Sequence, residues 1–268
     1  MGQALFLAVF AGYLASFALY FVNFEIEGEA LAGLDRKLMG ASLTGHFLIL
    51  AALFAGHHET AKASQGIYAL AFVILLVSFL LEGRFRAKYL MLFSLPITLL
   101  FSLFALLLSH GRTAAEPGAP VLWLHLGLIL AGFASLLAAA SSALLYLLQS
   151  AQLKSKHLGR IFIKLPSLDT LDRVHFGALS WGVVLFSLGI LTGLFGAAGG
   201  AGLGGLLRDP RVILSFLTCA MYWLVLCFRL STLRRGQKVF AGTLALFILL
   251  IVTWMSSYAG TWGFHRGF

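Results

Sequence analysis

Two histidines, His125 and His265, carry the most specific chemistry in this 268-residue sequence. His125 lies about one turn inside a long apolar stretch, and His265 follows the last apolar stretch of the chain. Trp123 and Trp262 stand beside them in sequence, and Arg266 directly follows His265. Two neutral imidazoles suit the axial positions of a haem iron, indole rings suit its faces, and guanidinium groups suit its propionates. Arg266 or Arg112 could take the propionates, with Arg208 and Arg211 as alternates. The two cysteines, Cys219 and Cys227, have no CxxCH spacing, so a haem held here is non-covalent haem b. The same residues also fit a simpler account, in which the tryptophans are interface-belt residues and the histidines cap loops.

A second pair is His46 and His175. Each lies near the same edge of its apolar stretch, opposite to His125, and an imidazole in an apolar layer is costly without a partner. Together they could form an inner site for a second haem or a quinone; alternatively each is satisfied by a hydrogen bond of its own. His57 and His58 are adjacent and would face different ways on a helix, which favours loop residues over a shared metal site.

The elements that must position these residues are membrane helices. The chain is 60% hydrophobic and 11% charged, with a mean hydropathy of +0.95. Long uncharged runs of this kind read as an all-α polytopic membrane protein in a single transmembrane domain, 1–268. Eight spans are expected, near 4–22, 39–56, 66–81, 89–109, 121–149, 173–195, 212–228 and 239–258. The first lacks a basic n-region and a clear cleavage site, so it reads as a retained span. Pro96 is expected to bend the fourth.

Loops 1–2, 3–4, 5–6 and 7–8 carry fourteen of the nineteen Lys and Arg residues. Basic loops stay in the cytoplasm, which places both termini outside in a bacterial-type inner membrane, with His125 and His265 on the outer side. The net charge of +9 is then loop charge that sets orientation; nucleic acid is not an expected partner.

The fifth span carries Gly127, Ala131, Ser135, Ala139 and Ala143 at a spacing of four, a ridge on which a neighbour could pack closely. His125 lies roughly opposite that ridge, so the helix is expected to pack with one face and offer the imidazole on another. In the sixth span, Gly189 and Gly193 form a second close-packing pair. The cysteines read as small buried hydrophobes. Gly196–Gly205 reads as a mobile loop and not a phosphate cradle, since no strand precedes it. No nucleophile–base pair, zinc spacing or intramembrane carboxylate pair suggests a stand-alone enzyme.

From about Trp123 to its end the chain resembles the cytochrome c assembly family of membrane haem handlers, which includes CcsA-type synthase subunits and HemX-like proteins. The residues that carry the resemblance are His125 opening a long helix, Leu153-Lys154, Leu165-Pro166-Ser167-Leu168 and Leu171-Asp172. Further on come Gly182, Gly189-Ile190-Leu191-Thr192-Gly193, Asp209-Pro210-Arg211, Arg234-Arg235-Gly236 and His265. The resemblance implies a four-span core over 121–268 and four variable spans over 1–120, with His125 and His265 as outer haem ligands. His46 also has counterparts among HemX-like members.

Two departures separate this chain from the synthases. Their tryptophan-rich outer segment is replaced by the glycine-rich 196–205, and the histidine of their seventh span is replaced by Cys227. Both point to a HemX-like haem binder rather than a synthase. The other functions open at this point are a quinol-linked, di-haem electron-transfer subunit of a larger redox complex and a cofactor-free assembly scaffold or carrier. The expected partners are membrane lipid, haem, quinone in the second case, and other cytochrome c maturation or redox subunits.

Overall fold

A computed structural model describes residues 2–25, 33–55, 63–85, 89–108, 120–156, 165–197, 210–232 and 237–259. Among these residues there are eight α-helices and no strand. They are α1 (Gly2–Glu25), α2 (Leu34–Ala55), α3 (Ala63–Phe85), α4 (Tyr89–Leu108), α5 (Pro120–Ser155), α6 (Leu168–Ala197), α7 (Pro210–Thr232) and α8 (Gln237–Ala259). The described part of each expected span lies on one helix, and several helices run a turn or more past the apolar run that marks them.

The ends follow local chemistry. Proline opens α5 and α7 at a position where the missing N–H has no intrahelical partner to lose. Ser167 caps α6: its side-chain oxygen accepts from the Thr170 N–H at 3.3 Å and its carbonyl from the Leu171 N–H at 3.0 Å. Past the end of α5, Lys156 takes a left-handed φ of 57°, the backbone turn that commonly ends a helix. Pro96 sits inside α4, which continues through it.

The protein is a polytopic membrane protein. Among the described residues, five helices contain segments long and apolar enough to cross a bilayer: Ala4–Asn23, Gln65–Arg84, Leu124–Ser155, Leu168–Phe195 and Val212–Ser231. Apolar side chains such as Trp181, Phe195 and Leu224 are 68%, 77% and 69% exposed, which suits a hydrocarbon surround and not water.

The helices form two compact units, one within 1–117 and one within 118–267. In the first, α1 pairs with α2, α3 pairs with α4, and α1 also meets α4. In the second, α5 and α6 form by far the most extensive pair, with α8 against α5 and α7, and α7 against α6.

Candidate functional site

The α5–α6 pair is a glycine seam. A β-carbon on Gly132 would stand 2.8 Å from the Phe186 backbone nitrogen, and one on Gly182 would stand 2.8 Å from Leu136. A β-carbon on Gly189 would meet Ile129 at 2.7 Å, and one on Gly193 would meet the His125 ring at 2.7 Å. Along α5 the contact positions are 125, 129, 132 and 136; along α6 they are 193, 189, 186 and 182. Every step of three or four on one helix is answered by an equal step back on the other, as an antiparallel left-handed pair requires.

His125 therefore lies on the packing seam, which corrects the expectation that α5 packs with one face and offers its imidazole on another. A row at spacing four turns by about 40° per step around a helix of about 100° per residue. The row that starts at Gly127 consequently begins open, with no neighbouring atom of the described residues within 4 Å of a β-carbon there. It is half-buried at Ala131, and Ala139 and Ala143 at its far end are fully buried. Alternating steps of four and three stay on one face; steps of four do not. The glycine pair of α6 does pack closely, as its spacing implies.

The seam fixes how His125 is held. Its Nδ1 lies 2.6 Å from the Gly189 carbonyl oxygen, which can only accept. Nδ1 therefore carries the proton, and the Nε2 lone pair is left to bind elsewhere. Thr192 Oγ1 lies 2.8 Å from the same carbonyl, and Gly193 makes room for the ring. An imidazole with one nitrogen pinned to a backbone carbonyl and the other without a hydrogen bond among the described residues has the arrangement that a metal-ligating histidine needs. Reading the residues in order identified Gly189 and Gly193 as a packing pair only; their second role depends on which helix lies opposite.

His175 occupies the other end of the same unit. Continuing the seam by equal steps sets position 143 opposite 175, about 27 Å of helix rise from His125. The His175 ring is fully buried, its centroid 4.5 Å from that of Phe240, which stacks at 3.8 Å on Tyr146. Thr243 donates its hydroxyl proton to the Val239 carbonyl at 3.0 Å, so the 3.0 Å bond between His175 Nε2 and Thr243 Oγ1 is donated by the histidine. Its Nδ1 has no hydrogen-bond partner among the described residues. Near this end Arg229 Nη2 donates to both oxygens of the buried Asp172, at 2.8 and 2.7 Å.

His46 belongs to the other unit and differs from both. Its Nε2 donates to the Tyr68 carbonyl at 3.2 Å, and its Nδ1 accepts from the Tyr13 hydroxyl at 2.9 Å. Both ring nitrogens are engaged. Trp123 lies on α5; its side chain, and His265, Trp262, Arg266, Arg112 and Arg208, lie outside the described residues, as does the side chain of Arg211. No group of three or more His, Cys, Asp or Glu that could hold a metal occurs among the described residues. The cysteines are not buried as expected: Cys219 is half-buried with its sulfur 3.2 Å from Ser187 Oγ, and Cys227 is exposed.

Fold and seam together define a class: a multi-span helical membrane protein in which a histidine is fixed through one ring nitrogen at the end of a close-packed helix pair. Residues 60–262 match the family model described as cytochrome C assembly protein, and the chain belongs to that family. The match begins before the fifth span and takes in α3 and α4, so the resemblance reaches further towards the N-terminus than the residues quoted for it. No curated protein matches the chain. No solved structure matches it either.

Proposed function

We propose that this protein is a HemX-like, haem b-binding member of the cytochrome c assembly family, with His125 and His265 as axial ligands on the outer side of the membrane. Family membership supports a haem-handling role in cytochrome c maturation. The observation that carries the site is the 2.6 Å bond from His125 Nδ1–H to the Gly189 carbonyl, which presents Nε2 as a lone pair at the end of a span. When bound, the iron supplies one-electron redox chemistry, or is itself the cargo in transit. The chain's own contribution is to set the tautomer of His125 and lock its ring against Gly193. Trp123, Trp262, Arg266 and Arg112 are proposed to enclose the macrocycle and meet its propionates.

The inner pair is weaker as a haem site. His46 has spent both nitrogens. His175 offers only Nδ1, the nitrogen nearer its own main chain, where a porphyrin plane has least room. A quinol-linked electron-transfer role would require a second site there, so the outer site is the better-supported reading.

The test is the absorption spectrum of the purified protein and of His125→Ala and His265→Ala. Each replacement should abolish or shift a low-spin haem spectrum, with partial recovery on adding imidazole, while His46→Ala should leave it in place. Wild-type haem content and spectrum in both single variants would remove His125 and His265 as ligands. A wild-type protein that binds no haem would point to a scaffold or carrier. Reduction by quinol would favour the electron-transfer reading.

A further inference from the structure

The N-terminal unit buries polar side chains that the His125 site does not use. On α1, Tyr13, Ser16 and Tyr20 follow at steps of three and four, which puts them on one face; they are 1%, 0% and 2% exposed. Ser42 and His46 lie one turn apart on α2, and both are buried. Glu82 on α3 is buried, and Ser94, Thr98 and Ser102 recur every four residues on the buried side of α4. In a bilayer a buried polar group without a partner is costly, and ionisable side chains inside spans line water-filled paths or proton relays.

Both ends of this polar face are held. At one end the Tyr20 hydroxyl donates to Glu82 Oε2 at 2.8 Å. Buried Asp35 is close by in the fold, with its Oδ1 on the Arg36 N–H at 2.8 Å, and the Arg36 guanidinium lies against Gly83. At the other end Tyr13 donates to His46 Nδ1. Between Tyr20 and Tyr13 on α1, Ser16 Oγ is buried with no partner among the described residues; elsewhere in this unit Thr98 Oγ1, Ser102 Oγ and the Tyr68 hydroxyl are also buried without one. Ser42 Oγ occupies the space that a side chain at Gly12 would need. Tyr20 and Tyr13 are seven residues apart, about 10 Å of rise. Ser16 and Ser42 cannot close that distance alone, but they and a few waters could, since buried water settles where polar groups lack partners.

We propose that this face is hydrated, and that ordered water joins Tyr20, Ser16, Ser42 and Tyr13 into one hydrogen-bonded line from Glu82 to His46 by which protons reach the membrane interior. Transfer along it breaks and forms only O–H and N–H bonds and moves no electrons between groups. Glu82 takes a proton from water at the charged end. Once protonated, Glu82 becomes the donor, and the Tyr20 hydroxyl that had donated to it turns to accept from it and to donate onward. Each further hydroxyl or water passes on the proton it holds as it receives one from behind, and Tyr13 gives its own to His46 Nδ1. The groups bonded to the imidazole are a phenol and a carbonyl, neither of them a counter-ion, so the proton returns by the same route and the line exchanges protons without storing charge. α4 contributes hydroxyls and no charged group to this face.

The experiment uses the full chain, isotope-labelled in lipid nanodiscs, and follows magnetisation passing from water protons to protein carbons by solid-state NMR. Ser16, Tyr13 and His46 should build up signal several-fold faster than the equally buried Ile74 and Leu75 of α3. Ser16→Ala or Ser42→Ala should slow the build-up at His46 several-fold while Glu82 stays fast. The wild-type comparison stands even where a variant fails to fold. If Ser16 and His46 build up as slowly as Ile74, the face is dry and the inference fails; it also fails if both serine variants fold and leave His46 unchanged. Haem takes no part in the readout, so the result is independent of the site at His125.

Discussion

The His125 ring lies over Gly193, with its Nδ1 2.7 Å from where a β-carbon on that residue would stand. A methyl group there cannot be accommodated unless the ring moves, and the ring cannot move without disturbing its 2.6 Å bond to Gly189. Gly193→Ala should therefore weaken haem binding about 10–100-fold, the usual effect of removing the group that orients a ligating histidine. Haem titration of protein that still accumulates in the membrane checks this. Unchanged affinity would show that the ring's placement on the seam is not what prepares it for ligation.

The Asp172–Arg229 pair is buried, with side chains 4% and 12% exposed. Removing one partner leaves the other charge buried and unmatched. Asp172→Asn should cost about 3–5 kcal/mol, and replacing both residues with leucine should cost less than the single change. Thermal unfolding in detergent measures both. A single variant as stable as wild type would mean that Arg229 finds water as easily as it finds Asp172.

Packing on α5 should depend on position in a way that spacing alone does not give. Ser135→Leu, at a residue 6% exposed, should overpack and cost about 1–3 kcal/mol. Gly132→Ala should cost a similar amount, because its new methyl would press on the Phe186 backbone. Gly127→Leu, where no neighbour among the described residues stands within 4 Å, should leave stability and yield close to wild type. Equal sensitivity at 127 and 132 would contradict the seam.

Both termini are expected outside the cytoplasm, from the excess of Lys and Arg in alternate loops. A reporter fused after Phe268 should register as external. Cytoplasmic activity there would move His125 to the inner side and the Glu82 end of the polar line to the outer side.

The membrane class and the eight helices were legible in the sequence because an apolar run of about twenty residues is a local property that needs no partner to be recognised. His125 stood out as a candidate, since an imidazole one turn inside such a run is conspicuous whatever surrounds it. The packing face of α5 was not. A row at spacing four reads as one ridge on paper, yet drifts by about 160° between Gly127 and Ala143, and only the position of α6 shows which part of it meets a neighbour. The states of the three described histidines were settled by tertiary structure as well. The residues that hold His125, His46 and His175 lie 64, 33 and 68 positions away along the chain. Before the helices pack, nothing distinguishes an imidazole with an open nitrogen from one with both engaged. Residue type made each histidine a candidate, and the hydrogen bonds reaching it from another helix decided which lone pair remained.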